Sequence, residues 1–268
     1  MYLLFDIGGT KMRLALSGNR KSFGKVKIVP TPKRFSEAMG LFGKTARELA
    51  NGKKFSLAIG GTPGPFNKAR TKIFPQNLPQ WKNKDLKKAL EKTLRAKVYL
   101  ENDSALVGMG EVIYGAGKGR KIVAYLTIST GVGGARIVEG KIDRNSFGFE
   151  PGGQIIDKGL SKTLEDMISG KALEHRYHKK PHEILDPKIW NQTARLLAVG
   201  LNNTIVHWSP DVIVLGGSMM KKIGIPIPRV REHLKKILRF PAMPAIRKAS
   251  LGDLGGLYGA LAFLKDLK

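Results

Sequence analysis

The sequence predicts an α/β fold, and three observations carry that prediction. Short apolar runs alternate along the chain with segments whose apolar residues recur at helical spacing. The 32 glycines exceed the usual share of about 7%. They cluster directly after apolar runs, where backbone turns at sites are expected. At 268 residues, with 42% hydrophobic and 25% charged, the chain can bury one large core or two ordinary ones.

Taken in order, Tyr2-Leu3-Leu4-Phe5 reads as a buried strand ending at Asp6 and a Gly8-Gly9 turn. Met12, Leu14 and Leu16 then alternate with Arg13 and Ala15, as the second arm of a hairpin does. Arg34 to Leu49 reads as a helix. Phe55 to Ile59 reads as a strand, with Gly60 to Pro65 a sharp loop after it. Leu86, Leu90 and Leu94 recur every four residues and mark a helix. Val98 and Leu100 form a strand that ends at Glu101-Asn102-Asp103, and a helix follows through Val112. Tyr114 to Arg120, with three glycines, is the expected domain boundary. Ile122 to Ile128 is a strand, Ser129 to Gly134 a glycine loop, and a second strand runs to Val138. Helices are expected over Thr163–His175 and Ile189–His207, and a strand over Val212–Leu215 that runs into Gly216-Gly217. Arg229–Arg239 and Asp253–Leu267 complete the helices.

The chain carries 47 Lys and Arg against 21 Asp and Glu, a net charge of +26. That excess favours anionic partners but also describes solvated lysine-rich faces, and charge alone does not choose. There is no cysteine, which excludes disulfides, thiolate catalysis and cysteine-ligated zinc and fits a cytoplasmic location. No apolar run reaches the ~18 residues of a membrane span. Met1 to Asp6 has neither the basic region nor the cleavage site of a signal peptide.

Three segments carry candidate chemistry. Asp6 to Lys11 places Gly8 and Gly9 in a turn whose bare backbone lets phosphate oxygens approach. Thr10 adds a hydroxyl, Lys11 a charge, and Asp6 a carboxylate able to hold Mg²⁺ through water. Alone, the segment reads equally as a plain hairpin turn. Ser129 to Gly134, with Thr130 and Gly131 at its tip, offers the same features again. Two such loops in corresponding places fit one bound polyphosphate better than either does singly. Neither the P-loop nor the dinucleotide fingerprint occurs. Third, Glu101-Asn102-Asp103 lies where a strand meets a helix. Asn or Asp there caps a helix, and Asp103 is alternatively a general base in phosphoryl transfer.

With these segments the chain resembles the ROK family of sugar kinases and repressors, within the actin-like ATPase superfamily. Phe5 to Lys11 resembles the family's first phosphate loop, and Thr127 to Gly134 its second. Pro63-Gly64 and Asn77-Leu78-Pro79 with Trp81 are similar to its sugar-side segment, and Glu101 to Ala105 to the strand end bearing the catalytic Asp. Pro210 to Gly217 resembles the strand and turn beside the adenosine, and Leu251-Gly252-Asp253 through Ala260 the closing helix. The resemblance implies an actin-like, ribonuclease H-like fold of two α/β domains with an interdomain cleft. The expected domains are 1–115 with 252–268, and 116–251. It implies that Asp103 is the base and that Gly64, Asn77, Asn102, Glu150 and Glu165 line the sugar. Asp6, Gly8, Gly9, Thr10, Lys11, Thr130, Gly131 and Gly217 would serve ATP and Mg²⁺. A homodimer is the family expectation.

One segment departs from the pattern. Where many members have a zinc-binding His and then a cysteine-rich loop, this chain has Gly153 and a short connection to Leu164-Glu165. The expectation is therefore no zinc site and a sugar pocket missing one wall. His175, His178 and His182 have helical spacing, but Pro181 interrupts it, so a metal site is not expected there. His207 and His233 lack carboxylate-rich surroundings. Arg229 to Arg239 buries Val230, Leu234 and Leu238 and turns Arg231, Lys235, Lys236 and Arg239 outward, as a solvated face does. The family's repressors carry an N-terminal helix-turn-helix that this chain is not expected to have.

The resemblance thus implies an ATP-dependent hexokinase of glucokinase type, phosphorylating the 6-OH of glucose. The shortened zinc segment also makes room for N-acetylglucosamine, N-acetylmannosamine or fructose. A third, non-enzymatic alternative is a sugar or nucleotide sensor that binds nucleic acid through its basic surface.

Overall fold

The computed structural model describes residues 1–75, 77–143, 145–157, 159 and 161–267. The chain opens with β1 (Tyr2–Ile7), β2 (Lys11–Ser17), β3 (Lys27–Pro30), α1 (Phe35–Ala50) and β4 (Leu57–Thr62). Next come β5 (Lys72–Ile73), β6 (Lys84–Asp85), α2 (Leu86–Leu94), β7 (Lys97–Asn102) and α3 (Asp103–Tyr114). The middle carries β8 (Ile122–Ile128), β9 (Val132–Val138), β10 (Lys141–Ile142), β11 (Ile155–Asp157) and β12 (Lys162–Thr163). It ends with α4 (Leu164–Ile168), α5 (Gly170–Tyr177), α6 (Pro187–Trp208), β13 (Val212–Gly216), α7 (Ile227–Ile237), β14 (Ala245–Lys248) and α8 (Gly255–Asp266).

Two compact units result. The first comprises 1–110, 145–148 and 253–267, the second 111–143 and 149–252. The first is built on a sheet of order β3-β2-β1-β4-β7, the second on one of order β10-β9-β8-β13-β14. In each, a hairpin (β1–β2 or β8–β9) is antiparallel and its first strand pairs in parallel with the next core strand. The two glycine turns singled out in the sequence are the tips of these equivalent hairpins.

In the first unit, Leu3, Phe5 and Ile7 face α1 and α2, whose Ala38, Phe42, Leu86 and Leu90 are buried against them. The other face of β1 and β4 is covered by α8. Here α8 also meets α3 backbone to backbone. A Cβ on Gly259 would fall 1.8 Å from the Leu106 carbonyl oxygen, and one on Gly110 2.8 Å from that of Gly255. In the second unit, the buried face of α6 (Trp190, Leu197, Leu201, Ile205) shares one core with β8, β13 and α7. Glu111, fully buried, is satisfied by the N–H groups of Ala116, Ser250 and Leu251 and the Ser250 hydroxyl.

Three expectations are corrected. Gly60, Gly61 and Thr62 are not loop; they extend β4. A Cβ on Gly61 would lie 2.9 Å from the Asp103 Cα, so this glycine is required for close packing rather than for a turn. Gly133 and Gly134 likewise belong to β9, where Pro151 lies against Gly134. The helix expected over 163–175 breaks at Ser169, whose backbone is extended and whose hydroxyl caps α5 by accepting from the Ala172 N–H at 3.1 Å. On α7, Val230 and Leu234 are buried as expected, and Arg231 donates to the Ile246 carbonyl at 2.5 Å. Among the described residues, no helix is long and apolar enough to cross a membrane.

Candidate active site

In the first unit the β1–β2 turn has two of its carbonyls held, and two of its N–H groups bond to none of the described residues. Thr31 donates its hydroxyl to the Gly8 carbonyl at 2.8 Å and its N–H to the Thr10 carbonyl at 3.0 Å. Gly8 N–H closes the turn onto the Lys11 carbonyl at 2.9 Å. The N–H groups of Gly9 and Thr10 bond to none of the described residues, and the Thr10 and Lys11 side chains are exposed. Unpaired, outward N–H groups on a glycine turn suit phosphate oxygens. Asn77 approaches the same turn, its amide nitrogen 2.6 Å from where a Gly9 Cβ would stand.

Asp6 is the penultimate residue of β1 and is nearly buried. Arg13, on the paired strand, donates to its Oδ2 at 3.3 Å, leaving Oδ1 without a hydrogen bond from the described residues. Such a group fits Mg²⁺, which keeps most of its waters and needs only one or two carboxylates beside phosphate. Burial foremost, then the Asp103 charge, pushes the Asp6 carboxyl up to about 6, with Arg13 opposing. A carboxyl raised in the folded state stabilises below its unfolded value and loses that contribution as pH rises through the folded value. Asp6→Asn should therefore stabilise the protein at pH 7.5 by roughly 2–3 kcal/mol and little at pH 4. Urea unfolding at the two pH values measures this, and equal shifts at both would contradict it.

Asp103 begins α3. Asn102 caps that helix, its Oδ1 accepting from the Ala105 N–H at 3.2 Å, while its amide nitrogen lies 2.9 Å from where a Gly64 Cβ would stand. The structure thus brings Asn102, Asp103 and Gly64 together. Asp103 Oδ1 accepts from the Ser104 N–H at 2.6 Å and its hydroxyl at 3.2 Å. Oδ2 takes no hydrogen bond from the described residues. Burial raises the carboxyl's pKa against the bonds from the Ser104 N–H and hydroxyl and from its own backbone N–H, a shift in the direction that suits a proton acceptor. Two residues here escaped sequence reasoning. Arg13 braces Asp6, and Arg70 joins Glu101 to Asn145, donating to the latter at 2.9 Å. Arg13 was visible only as a polar member of an alternating strand, and nothing in the sequence marked Arg70.

The second unit repeats the first motif. At the β8–β9 turn, Ser129 N–H donates to the Gly131 carbonyl at 2.8 Å. The Ser129 and Thr130 carbonyls accept from Gly170 and Lys171 N–H at 2.7 and 3.4 Å. Thr130 and Gly131 N–H bond to none of the described residues, and Thr130 is exposed. Gly217 sits at φ +95, and its Cβ would fall 2.2 Å from the Ile128 carbonyl oxygen, so only glycine fits. Next to it, Ser218 N–H donates to Ser129 Oγ at 3.1 Å, joining the two turns. Glu165 reaches the same place: its Oε2 accepts from the Val132 N–H at 2.6 Å. Glu150 is exposed, on a segment that Phe149 and Pro151 seat against Gly134. Gly153 follows on a single 3-10 turn, with nothing within 4 Å of a Cβ placed there. Among the described residues, no three His, Cys, Asp or Glu side chains gather to hold a metal ion.

A fold with two hairpins of one topology, each tipped by a turn of free N–H groups, defines the actin-like ATPase class. The ROK family model matches residues 2–267, and the chain belongs to the ROK family. Among curated relatives it is similar to a glucokinase of Streptomyces coelicolor, 26% identical over 310 aligned positions, covering 97% of this chain and 96% of the relative. It is also similar to an N-acetyl-D-glucosamine kinase of Citrobacter koseri, 29% identical over 304 positions, covering 98% and 99%. These alignments are longer than this chain of 268 residues, so both relatives contain segments that it lacks. Among solved structures it is similar to a ROK hexokinase of Thermus thermophilus, with TM-score 0.83, 28% identity, and coverage of 99% and 98%. A Streptomyces griseus ROK glucokinase in complex with glucose and AMPPNP shares the fold at TM-score 0.82 and 22% identity, covering 99% of each chain.

Proposed function

We propose that this protein is an ATP-dependent sugar kinase that transfers the γ-phosphate to the 6-OH of an aldohexose, glucose first among them. One observation carries the proposal: Asp103 presents an unbonded carboxylate oxygen, held at a raised pKa, in a chain with two N–H-lined turns. Asp103 takes the proton from the attacking hydroxyl, whose oxygen bonds the γ-phosphorus as the bond to the β-phosphate oxygen breaks and ADP leaves. Gly64, Asn77, Asn102, Glu150 and Glu165 are assigned to the sugar. Gly8 to Lys11, Thr130 and Gly131 are assigned to the phosphates, and Gly217 to the nucleoside. Asp6 would hold Mg²⁺ through water, and the ion would neutralise phosphate charge. The domains are taken as 1–115 with 252–268, and 116–251. A homodimer in the cytoplasm belongs to the same proposal.

A coupled assay of ADP release on a panel of hexoses tests it. Turnover on glucose is expected. Binding of ATP with no turnover on any sugar, and salt-dependent binding of nucleic acid, would replace the kinase with the sensor alternative.

The open space at Gly153 favours a second substrate class, the N-acetylhexosamines, over a site walled for glucose alone. The curated relatives include kinases of both kinds. Gly153→His, at a position with room for a side chain and an ordinary φ, should lower kcat/KM for N-acetylglucosamine relative to glucose by about 10-fold. An unchanged ratio would show that Gly153 does not border the sugar.

A further inference from the structure

Glu165 is bonded on one side only. Its Oε2 accepts from the Val132 N–H at 2.6 Å, and its Oε1 takes no hydrogen bond from the described residues. Gly131 makes this approach possible, since a Cβ there would fall 2.6 Å from Oε2. The next helix, α5, also holds the turn by its backbone. Gly170 N–H donates to the Ser129 carbonyl and Lys171 N–H to that of Thr130. The turn's two free donors, Thr130 and Gly131 N–H, are therefore positioned from the α4–α5 side.

We propose that Glu165 is a positioning residue that couples sugar binding to nucleotide binding; the inference rests on the assignment of Glu165 to the sugar made above. A sugar hydroxyl donating to Oε1 fixes the carboxylate. Oε2 then holds Val132 N–H in one place, and the N–H groups of Thr130 and Gly131 meet the phosphates in a set geometry. Ordering a Glu side chain costs conformational entropy. The first ligand bears that cost, so the second binds to a turn already ordered. By linkage the effect is reciprocal.

Calorimetric titration with AMPPNP, with and without saturating glucose or N-acetylglucosamine, tests the coupling. In the unaltered protein the sugar should tighten AMPPNP binding on the order of 10-fold. In Glu165→Ala, AMPPNP should still bind, but the ratio with and without saturating sugar should fall to within about 2-fold of one. Gly131→Ala moves the carboxylate off Val132, since the added carbon would stand 2.6 Å from Oε2 and 3.2 Å from the carboxyl carbon, so the ratio should collapse even at sugar concentrations that saturate the variant. This second variant keeps the test readable if Glu165→Ala does not fold. A residue that only bound sugar would leave the ratio intact once sugar is saturating, and one that only braced the turn would weaken AMPPNP equally with and without sugar. Either result overturns the coupling, as does a ratio of one in the unaltered protein. If no sugar binds the unaltered protein at all, the assignment of Glu165 to sugar falls first and the coupling with it.

Discussion

Asp103→Asn should lower kcat by about 10²–10⁴ while leaving the KM for ATP within a few-fold. The substitution preserves shape. The Asn carbonyl oxygen still accepts from the Ser104 N–H and hydroxyl, which now bond Oδ1 at 2.6 and 3.2 Å, and α3 keeps its cap at Asn102. What is lost is the oxygen that receives the proton. Removing the charge also relieves Asp6, whose carboxyl is raised in part by Asp103. The unaltered enzyme should lose activity as pH falls through the raised Asp103 value, because the protonated acid cannot act as a base. Steady-state rates at saturating sugar and ATP measure the effect. A variant within 10-fold of the unaltered rate would show that Asp103 is not the base, and that positioning and charge neutralisation supply the catalysis.

Gly259→Ala should destabilise the first unit by roughly 3 kcal/mol or more. A single methyl there would stand 1.8 Å from the Leu106 carbonyl oxygen and 2.3 Å from its carbon. Both are backbone atoms of α3 and cannot swing aside as a side chain does. Relief requires α8 and α3 to separate, which moves the helix that begins at Asp103. Activity should therefore fall with stability. Gly40→Ala is the control: that position is exposed in α1, with nothing within 4 Å of the added carbon. Alanine there should stabilise by about 0.5–1 kcal/mol. Thermal or urea unfolding of the pair reads the contrast. Equal shifts would mean that α3 and α8 can separate without penalty.

These glycines show where the sequence was legible. Gly8-Gly9 and Thr130-Gly131 follow apolar runs and precede alternating ones, and both are turns as expected. Gly60, Gly61, Gly133 and Gly134 have the same local signature but lie within strands. In sequence, a glycine chosen for a turn and one chosen because another chain segment presses on it look alike. The break at Ser169 was hidden for a related reason. The helical pattern continues across it, and the interruption goes with the Ser169 cap and with the bonds from Gly170 and Lys171 N–H to the Ser129 and Thr130 carbonyls. Short strands such as β14 offer too few residues for any period to show.

The candidate site divides in the same way. Asp6, Asp103 and both turns were visible because each lies at the end of a strong strand, where chemistry-bearing residues stand out against an apolar run. Arg13 and Arg70 were not, since their partners Asp6 and Glu101 are 7 and 31 residues away. Glu165 was assigned by its resemblance to a sugar ligand. Its bond to Val132, 33 residues off, adds a link to the second turn that spacing cannot reveal.

By itself, the sequence determined the α/β class, the order of the main strands and helices, and the two glycine turns. These follow from apolar periodicity and turn chemistry, which act over a few residues. Only the tertiary structure decided which glycines serve packing, which carboxylates are buried and raised, and which turn N–H groups are left unbonded. Those properties depend on what other segments bring within a few ångströms, and no local pattern encodes that distance.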